Sequence, residues 1–181
     1  MSCRLETSLP LQGQGADEHR KGNRRGLALA IPISAWRNEL GFELAPGIFG
    51  ENLTISGLES AAFAIGDILH VGEVTLQVTA PRFPCKTFSA RMEDPQFIKK
   101  FRAAERPGLY CRVLKEGKVQ AGASVRVEKY EEGSVSILNC YRDHYAPDLQ
   151  ASTIRKFLAA PIAIRMRAEK ETQLEKALGN N

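Results

Sequence analysis

A thiol set between two cations is the first place to look for chemistry in this 181-residue chain. Cys85 stands in the run Pro81-Arg82-Phe83-Pro84-Cys85-Lys86. A nearby cation favours the thiolate, which is both the nucleophilic and the metal-binding form of cysteine. The two prolines bracketing Arg82 and Phe83 fix φ at both ends and stiffen the segment. Side chains placed just after a strand end and a rigid turn are often held toward a cleft. The competing reading is a buried structural cysteine with two solvated basic neighbours. On these residues alone the two readings stand level.

Other candidates are weaker singly. Gly50-Glu51-Asn52 is a polar cluster in a glycine-rich turn. Asn52 could hydrogen-bond a heterocycle or close its own turn, and Glu51 could be a base or a surface charge; turn formation is the favoured role. Arg106 and Arg112 flank Pro107-Gly108-Leu109-Tyr110 and suit phosphate recognition, although a lone surface arginine is more often an ion-pair residue. His19, His70 and His144 are scattered, without metal-ligand spacing. Cys3, Cys85, Cys111 and Cys140 form no CxxC pair, which argues against a zinc site. There is no GxSxG elbow, P-loop or GxGxxG fingerprint.

Composition sets the frame. Hydrophobic residues make up 43% and charged residues 25%, enough for a real core in one domain with a small appendage. The net charge of +4 suits an anionic small molecule; without clustering it does not indicate a specific nucleic-acid partner. Widely spaced cysteines, no apolar leader and no run of membrane-span length point to thiols in a reducing cytoplasm and to no membrane partner.

The elements that must position these residues are mostly short strands. Residues 1–26 read as a divergent, loop-like segment. Leu27–Ile33 reads as a buried strand, and Ser34 as the cap of a short helix carrying Trp36 and Leu40. Strands are expected at Leu53–Ile55, Asp67–Val71 and Val74–Val78, the last with period-2 alternation. Pro81–Pro84 interrupts the sheet. Asp94-Pro95 has the form of a helix start, with Phe97, Ile98 and Phe101 on the apolar face. A hairpin is expected around Glu116-Gly117, then strands over Ser124–Tyr130 and Ser134–Leu138. Helices come after Asp148, capped by Ser152 or Thr153, then opened by Pro161. The fold class is mostly β with flanking helices, a β-barrel over 27–147 and a short C-terminal helical segment over 148–181.

Taken in order, these motifs resemble one family. Gly47-Ile48-Phe49-Gly50-Glu51-Asn52-Leu53-Thr54 is similar to the "fGENlt" signature of MOSC domains. Gly57-Leu58, Ile65-Gly66-Asp67 and Val71-Gly72 come next, as in that family. Pro81-Arg82-Phe83-Pro84-Cys85 resembles its cysteine motif, and Arg106 to Leu114 the strand after it. The likeness spans Gly47 to Val127 and is greatest to the stand-alone bacterial YiiM type, whose members carry a three-helix segment after the MOSC domain. Asp17-Glu18-His19-Arg20-Lys21-Gly22 stands where the family has an "HGG" segment, and departs from it.

The resemblance implies a MOSC-type β-barrel that binds the molybdenum cofactor (molybdopterin). It implies Cys85 as molybdenum ligand and catalytic thiol, with Asn52, Arg82 and Arg112 in the cofactor pocket. It further implies reduction of N-hydroxylated compounds with electrons from a ferredoxin- or flavin-type partner, and it is compatible with a homodimer. Two alternatives stand beside it: a sulfur or cofactor carrier acting through Cys85, and a binding module with a decayed site.

Overall fold

The computed structural model describes residues 3–8, 27–31, 36–37, 40, 44–45, 47–131 and 135–179. Among these residues seven strands close into a barrel: β1 (Cys3–Ser8), β2 (Leu27–Ile31), β3 (Leu53–Ser56), β4 (Ile68–Val71), β5 (Val74–Pro81), β6 (Leu109–Lys115) and β7 (Ser124–Glu128), in the spatial order β1-β3-β2-β6-β5-β4-β7. Every neighbouring pair is antiparallel except β2 with β3. Closure leaves none of these strands with a free edge.

Alternation puts one apolar face inside. Leu53 and Ile55, Leu69 and Val71, Leu76 and Val78, and the trio Leu109, Cys111 and Val113 recur at period two and share one buried cluster. That core continues into Phe63, Ile65, Ile137, Phe157 and Ile162, so the C-terminal helices complete it. Asp67 is fully buried beside it. Its carboxylate accepts from the backbone N–H groups of Ala64 (3.0 Å) and Tyr130 (2.9 Å) and from Lys129 Nζ (2.8 Å).

Among the described residues, five helices with defined bounds flank the barrel: α1 (Lys86–Arg91), α2 (Phe97–Ala104), α3 (Ile137–Tyr145), α4 (Ala151–Ala159) and α5 (Ile164–Gly179). A second buried cluster holds Trp36, Leu44, Phe49, Phe88, Phe97, Phe101 and Tyr141. Phe97 and Phe101 face it from α2 at i, i+4 spacing, with Lys99, Lys100 and Arg102 exposed. Tyr110, half-buried, packs against the same cluster.

Several expectations are corrected. The barrel starts before residue 27, because Cys3–Ser8 pairs with β3 and β7. No hairpin forms at Glu116-Gly117: β6 lies between β2 and β5, and the chain after it crosses the β4–β5 turn, where Lys118 N–H donates to Glu73 Oε2 (2.9 Å). Of the strand expected over Ser134–Leu138, Ser136 makes only an isolated bridge to Ala64, Ile137 and Leu138 begin α3, and Ser134 lies outside the described residues. Ser136 caps α3 by accepting from Asn139 N–H (3.0 Å), and Ile137, Cys140 and Tyr141 form its buried i, i+3, i+4 face. Three helices therefore come after the barrel, beginning eleven residues before Asp148. α2 begins at Phe97; Asp94 caps the preceding turn through Gln96 N–H (2.8 Å). α4 has Gln150 as N-cap, and Asp148 holds the turn through Gln150 N–H and Thr153 Oγ1. β5 runs through Pro81 before the chain leaves the sheet. The Ser34 cap and residues 17–22 lie outside the described residues.

Candidate functional site: the Cys85 loop and the Glu51 turn

The irregular end of β5 delivers Cys85. Its pairing with β6 shifts register between Val78 and Ala80, and Thr79 Oγ1 there donates to Tyr110 O (3.1 Å). Such a bulge bends a strand and re-aims the chain beyond it. Arg82 N–H then donates to Gly108 O (2.9 Å), tying the loop to the start of β6. Cys85 is extended, with φ −128° and ψ 171°, and forms the N-cap of α1; its carbonyl accepts from Phe88 N–H (3.0 Å) and Ser89 N–H (3.1 Å). The thiol is exposed, at the electropositive end of a short helix. Of the two readings of Cys85, burial is therefore excluded.

Arg82 is the cation built into this loop. Its guanidinium lies over the Phe88 ring, 4.5 Å from the centroid, and its buried Nε has no partner. Burial lowers its pKa. The charges of Tyr110, Cys85 and Glu51 oppose that in decreasing order, and Arg91 adds to it. Arg82 thus shares one electrostatic neighbourhood with the thiol, one carboxylate and a second arginine. Arg91 reaches back to the glycine turn: a Cβ on Gly50 would stand 4.0 Å from its Nη1.

That turn is organised by Glu51, only 2% exposed. Its carboxylate accepts from Gly47 N–H (2.7 Å), Phe49 N–H (3.0 Å) and Thr54 Oγ1 (3.0 Å). Glu51 is thus neither a surface charge nor an exposed base; it is the staple of the turn. Gly47 and Gly50 take positive φ of 81° and 72° there, which favours glycine. The stapled turn seats Phe49 against Phe88, with centroids 5.2 Å apart, and so packs the first motif against the helix that Cys85 begins. Phe83 is stacked on Tyr141 (5.6 Å) and His144 (3.9 Å), which fixes the other side of the loop.

The structure therefore brings Cys85, Arg82 and Glu51 together, and Asn52 is half-buried next to Glu51. Arg112 lies farther along β6, two residues beyond Tyr110, opposite Gln77 in β5. Arg106 is exposed after α2. His70 is a sheet residue whose Nε2 meets Glu128 Oε2 at 3.2 Å. Burial pushes the thiols of Cys111 and Cys140 up to about 12, so neither is reactive. Sequence reasoning missed Arg91 and the Phe49–Phe88 contact. The charge of Arg91 was visible, but only folding shows that it returns to Gly50. Among the described residues no group of three His, Cys, Asp or Glu side chains could hold a metal ion, and no helix is long and apolar enough to cross a membrane.

The MOSC domain family matches residues 31–126, which contain the Glu51 turn, the Cys85 loop and β6. The chain belongs to the MOSC domain family. It is 31% identical over 124 residues to YflK, an uncharacterized protein of Bacillus subtilis (strain 168), covering 68% of this chain and 56% of that one. It is 33% identical over 97 residues to a protein of Gibberella moniliformis described as a reductase, covering 53% of this chain and 17% of the other. The chain thus spans only part of the length of these relatives. Among solved structures it is similar to YiiM from Geobacillus stearothermophilus, with TM-score 0.74 and 27% identity over 83% of this chain and 78% of that one.

Proposed function

We propose that this protein binds the molybdenum cofactor through Cys85 and reduces N-hydroxylated compounds. The observation that carries this reading is an exposed thiol at a helix start, set beside a half-buried arginine whose Nε has no partner. One thiolate is a single soft ligand, so the metal must bring most of its own ligands, as a metal–pterin dithiolene does. The basic surroundings from Arg82, Lys86 and Arg91 suit its negative charge.

When bound, the cofactor would supply two-electron redox chemistry at the metal. The protein's residues have simpler tasks. Cys85 would hold the metal. Arg82 would donate to an anionic group of the cofactor and Asn52 to its heterocycle. The Glu51 turn, through Phe49 on Phe88, would keep the thiol in place. The net reaction breaks one N–O bond: R–NH–OH, two electrons and two protons give R–NH2 and water. The electrons would come from a ferredoxin- or flavin-type partner, and the relative described as a reductase supports this reaction class.

The test is metal analysis of protein made in a cofactor-producing host, then anaerobic assay with a reduced viologen and an N-hydroxylated purine. Molybdenum and turnover in the wild type, with both lost in Cys85→Ser, are expected. Molybdenum retained in Cys85→Ser would refute the ligand assignment. Absence of molybdenum with a one-sulfur mass gain on Cys85 after treatment with a cysteine desulfurase would identify a carrier instead.

A further inference from the structure

A second set of cations stands apart from Cys85. The C-terminal ends of α2 and α3 border an open groove of about 480 Å³, within the range of small-ligand sites. Ala103, Tyr145 and Ala146 give it an apolar lining, and its charges are Lys99, Arg102 and Arg142 against one acid, Glu105. Arg142 is already committed, since Nε and Nη2 donate to the two Glu105 oxygens at 2.7 and 2.5 Å. Lys99 and Arg102 are not: among the described residues neither pairs with a carboxylate.

Arg102 is also preorganised. Its guanidinium lies over the Tyr145 ring at 4.2 Å, which orients it and leaves its in-plane N–H donors available to fork an anion. Lys99 is one helical turn earlier on the same face. Two cations without a carboxylate partner among the described residues match the charge of a phosphate monoester, about −1.5 to −2 at neutral pH, and the apolar lining gives its organic part a surface to pack on.

We propose that this groove binds a planar organic phosphate monoester of the nucleoside 5′-monophosphate class, with the phosphate on Arg102 and Lys99. It is a site distinct from the thiol, because none of Cys85, Arg82, Asn52 and Arg112 lines it. The two are linked through Phe83, which stands two residues before Cys85 and packs on Tyr141 (5.6 Å) and Tyr145 (6.3 Å). The proposal holds whatever Cys85 carries.

Isothermal titration of the full chain at low salt, with adenosine 5′-monophosphate, adenosine and inorganic phosphate, tests it. The monophosphate should bind, with adenosine and phosphate each at least about tenfold weaker, as expected when either half of the contact is lost. Arg102→Gln should weaken the monophosphate by about tenfold or more. Lys100→Gln, whose lysine pairs with Asp94 on an adjoining turn, should leave it unchanged, as should Cys85→Ser. Four results would overturn the proposal: no binding of the monophosphate, binding that survives Arg102→Gln, phosphate as tight as the monophosphate, or binding lost in Cys85→Ser. Circular dichroism of Arg102→Gln separates loss of binding from loss of fold.

Discussion

Replacing Glu51 with glutamine removes little volume and one charge, yet the structure leaves the amide no good orientation. The carboxylate receives Gly47 N–H and Thr54 Oγ1 on one oxygen and Phe49 N–H on the other. With the amide oxygen toward Gly47, the NH2 group confronts Phe49 N–H. With the amide flipped, Thr54 can turn its hydroxyl to accept, but the NH2 group now confronts Gly47 N–H. Either way one buried backbone donor loses its acceptor, at a cost of about 1–3 kcal/mol. For a urea slope of roughly 2 kcal/mol per molar, the unfolding midpoint should fall by roughly 0.5–1.5 M with the slope unchanged. Equilibrium urea denaturation monitored by tryptophan fluorescence suits the measurement, because Trp36 sits in the cluster that the turn supports. A variant within about 0.3 kcal/mol of wild type would refute the staple, since substitutions away from buried networks typically stay within about 0.5 kcal/mol. Cys85→Ser, at an exposed position, is the control and should be near neutral.

Gly66→Ala should be far more damaging than Gly122→Ala. An added Cβ at Gly66 would lie 2.4 Å from the Tyr130 ring, whereas at Gly122 it meets nothing within 4 Å, although both have positive φ. Thermal denaturation should place Gly66→Ala about 2–4 kcal/mol below wild type and Gly122→Ala about 1–2 kcal/mol below; equal losses would mean that the ring simply moves aside. In a Cys3→Ser background, iodoacetamide should label Cys85 in the native protein and reach Cys111 and Cys140 only on unfolding, because burial holds both thiols near 12. Peptide mass spectrometry showing native labelling of Cys140 would contradict the packing of α3. The hydrogen bond from Arg142 holds the Glu105 carboxyl below its usual pKa, against a smaller opposing effect of desolvation. A carboxylate depressed in the folded state confers stability above its unfolded pKa, about 4.3, and loses it as pH falls through the lower native value. Glu105→Gln should therefore differ from wild type at neutral pH and converge with it in acid, and a gap that widens in acid would reverse the assigned direction.

The barrel was legible where alternation is regular. Val74, Leu76 and Val78 announce β5, and the same period brings Leu109, Cys111 and Val113 to one buried face. It was illegible where the deciding partner is distant. Cys3–Ser8 carries no strong pattern and becomes a strand through β3 and β7, the latter more than a hundred residues away. Ser134 to Leu138 alternates serine with apolar residues, a pattern that suits a strand, and only the Ser136 cap with the buried spacing of Ile137, Cys140 and Tyr141 makes Ile137 onward a helix. A short apolar run carries too little periodicity to separate the two.

The site divides along the same line. The local rigidity of Pro81 to Pro84 pointed to Cys85 without any structure, because proline acts on its own backbone. Glu51 could not be read in that way. An acid in a glycine turn has the same sequence signature whether it faces solvent or turns inward, and the difference lies in three donors that only the folded turn aims at it. Its link to the thiol is equally non-local, running from Glu51 through Phe49 to Phe88, across thirty-seven positions of sequence and then down one short helix to Cys85. This arrangement gives the separated motifs a physical reason to occur together. The glycine turn shapes a ledge, the aromatic pair locks the ledge to the helix, and the helix start presents the sulfur. A change at any step should move Cys85 before it unfolds the barrel, because the aromatic cluster and the barrel interior are two separate cores.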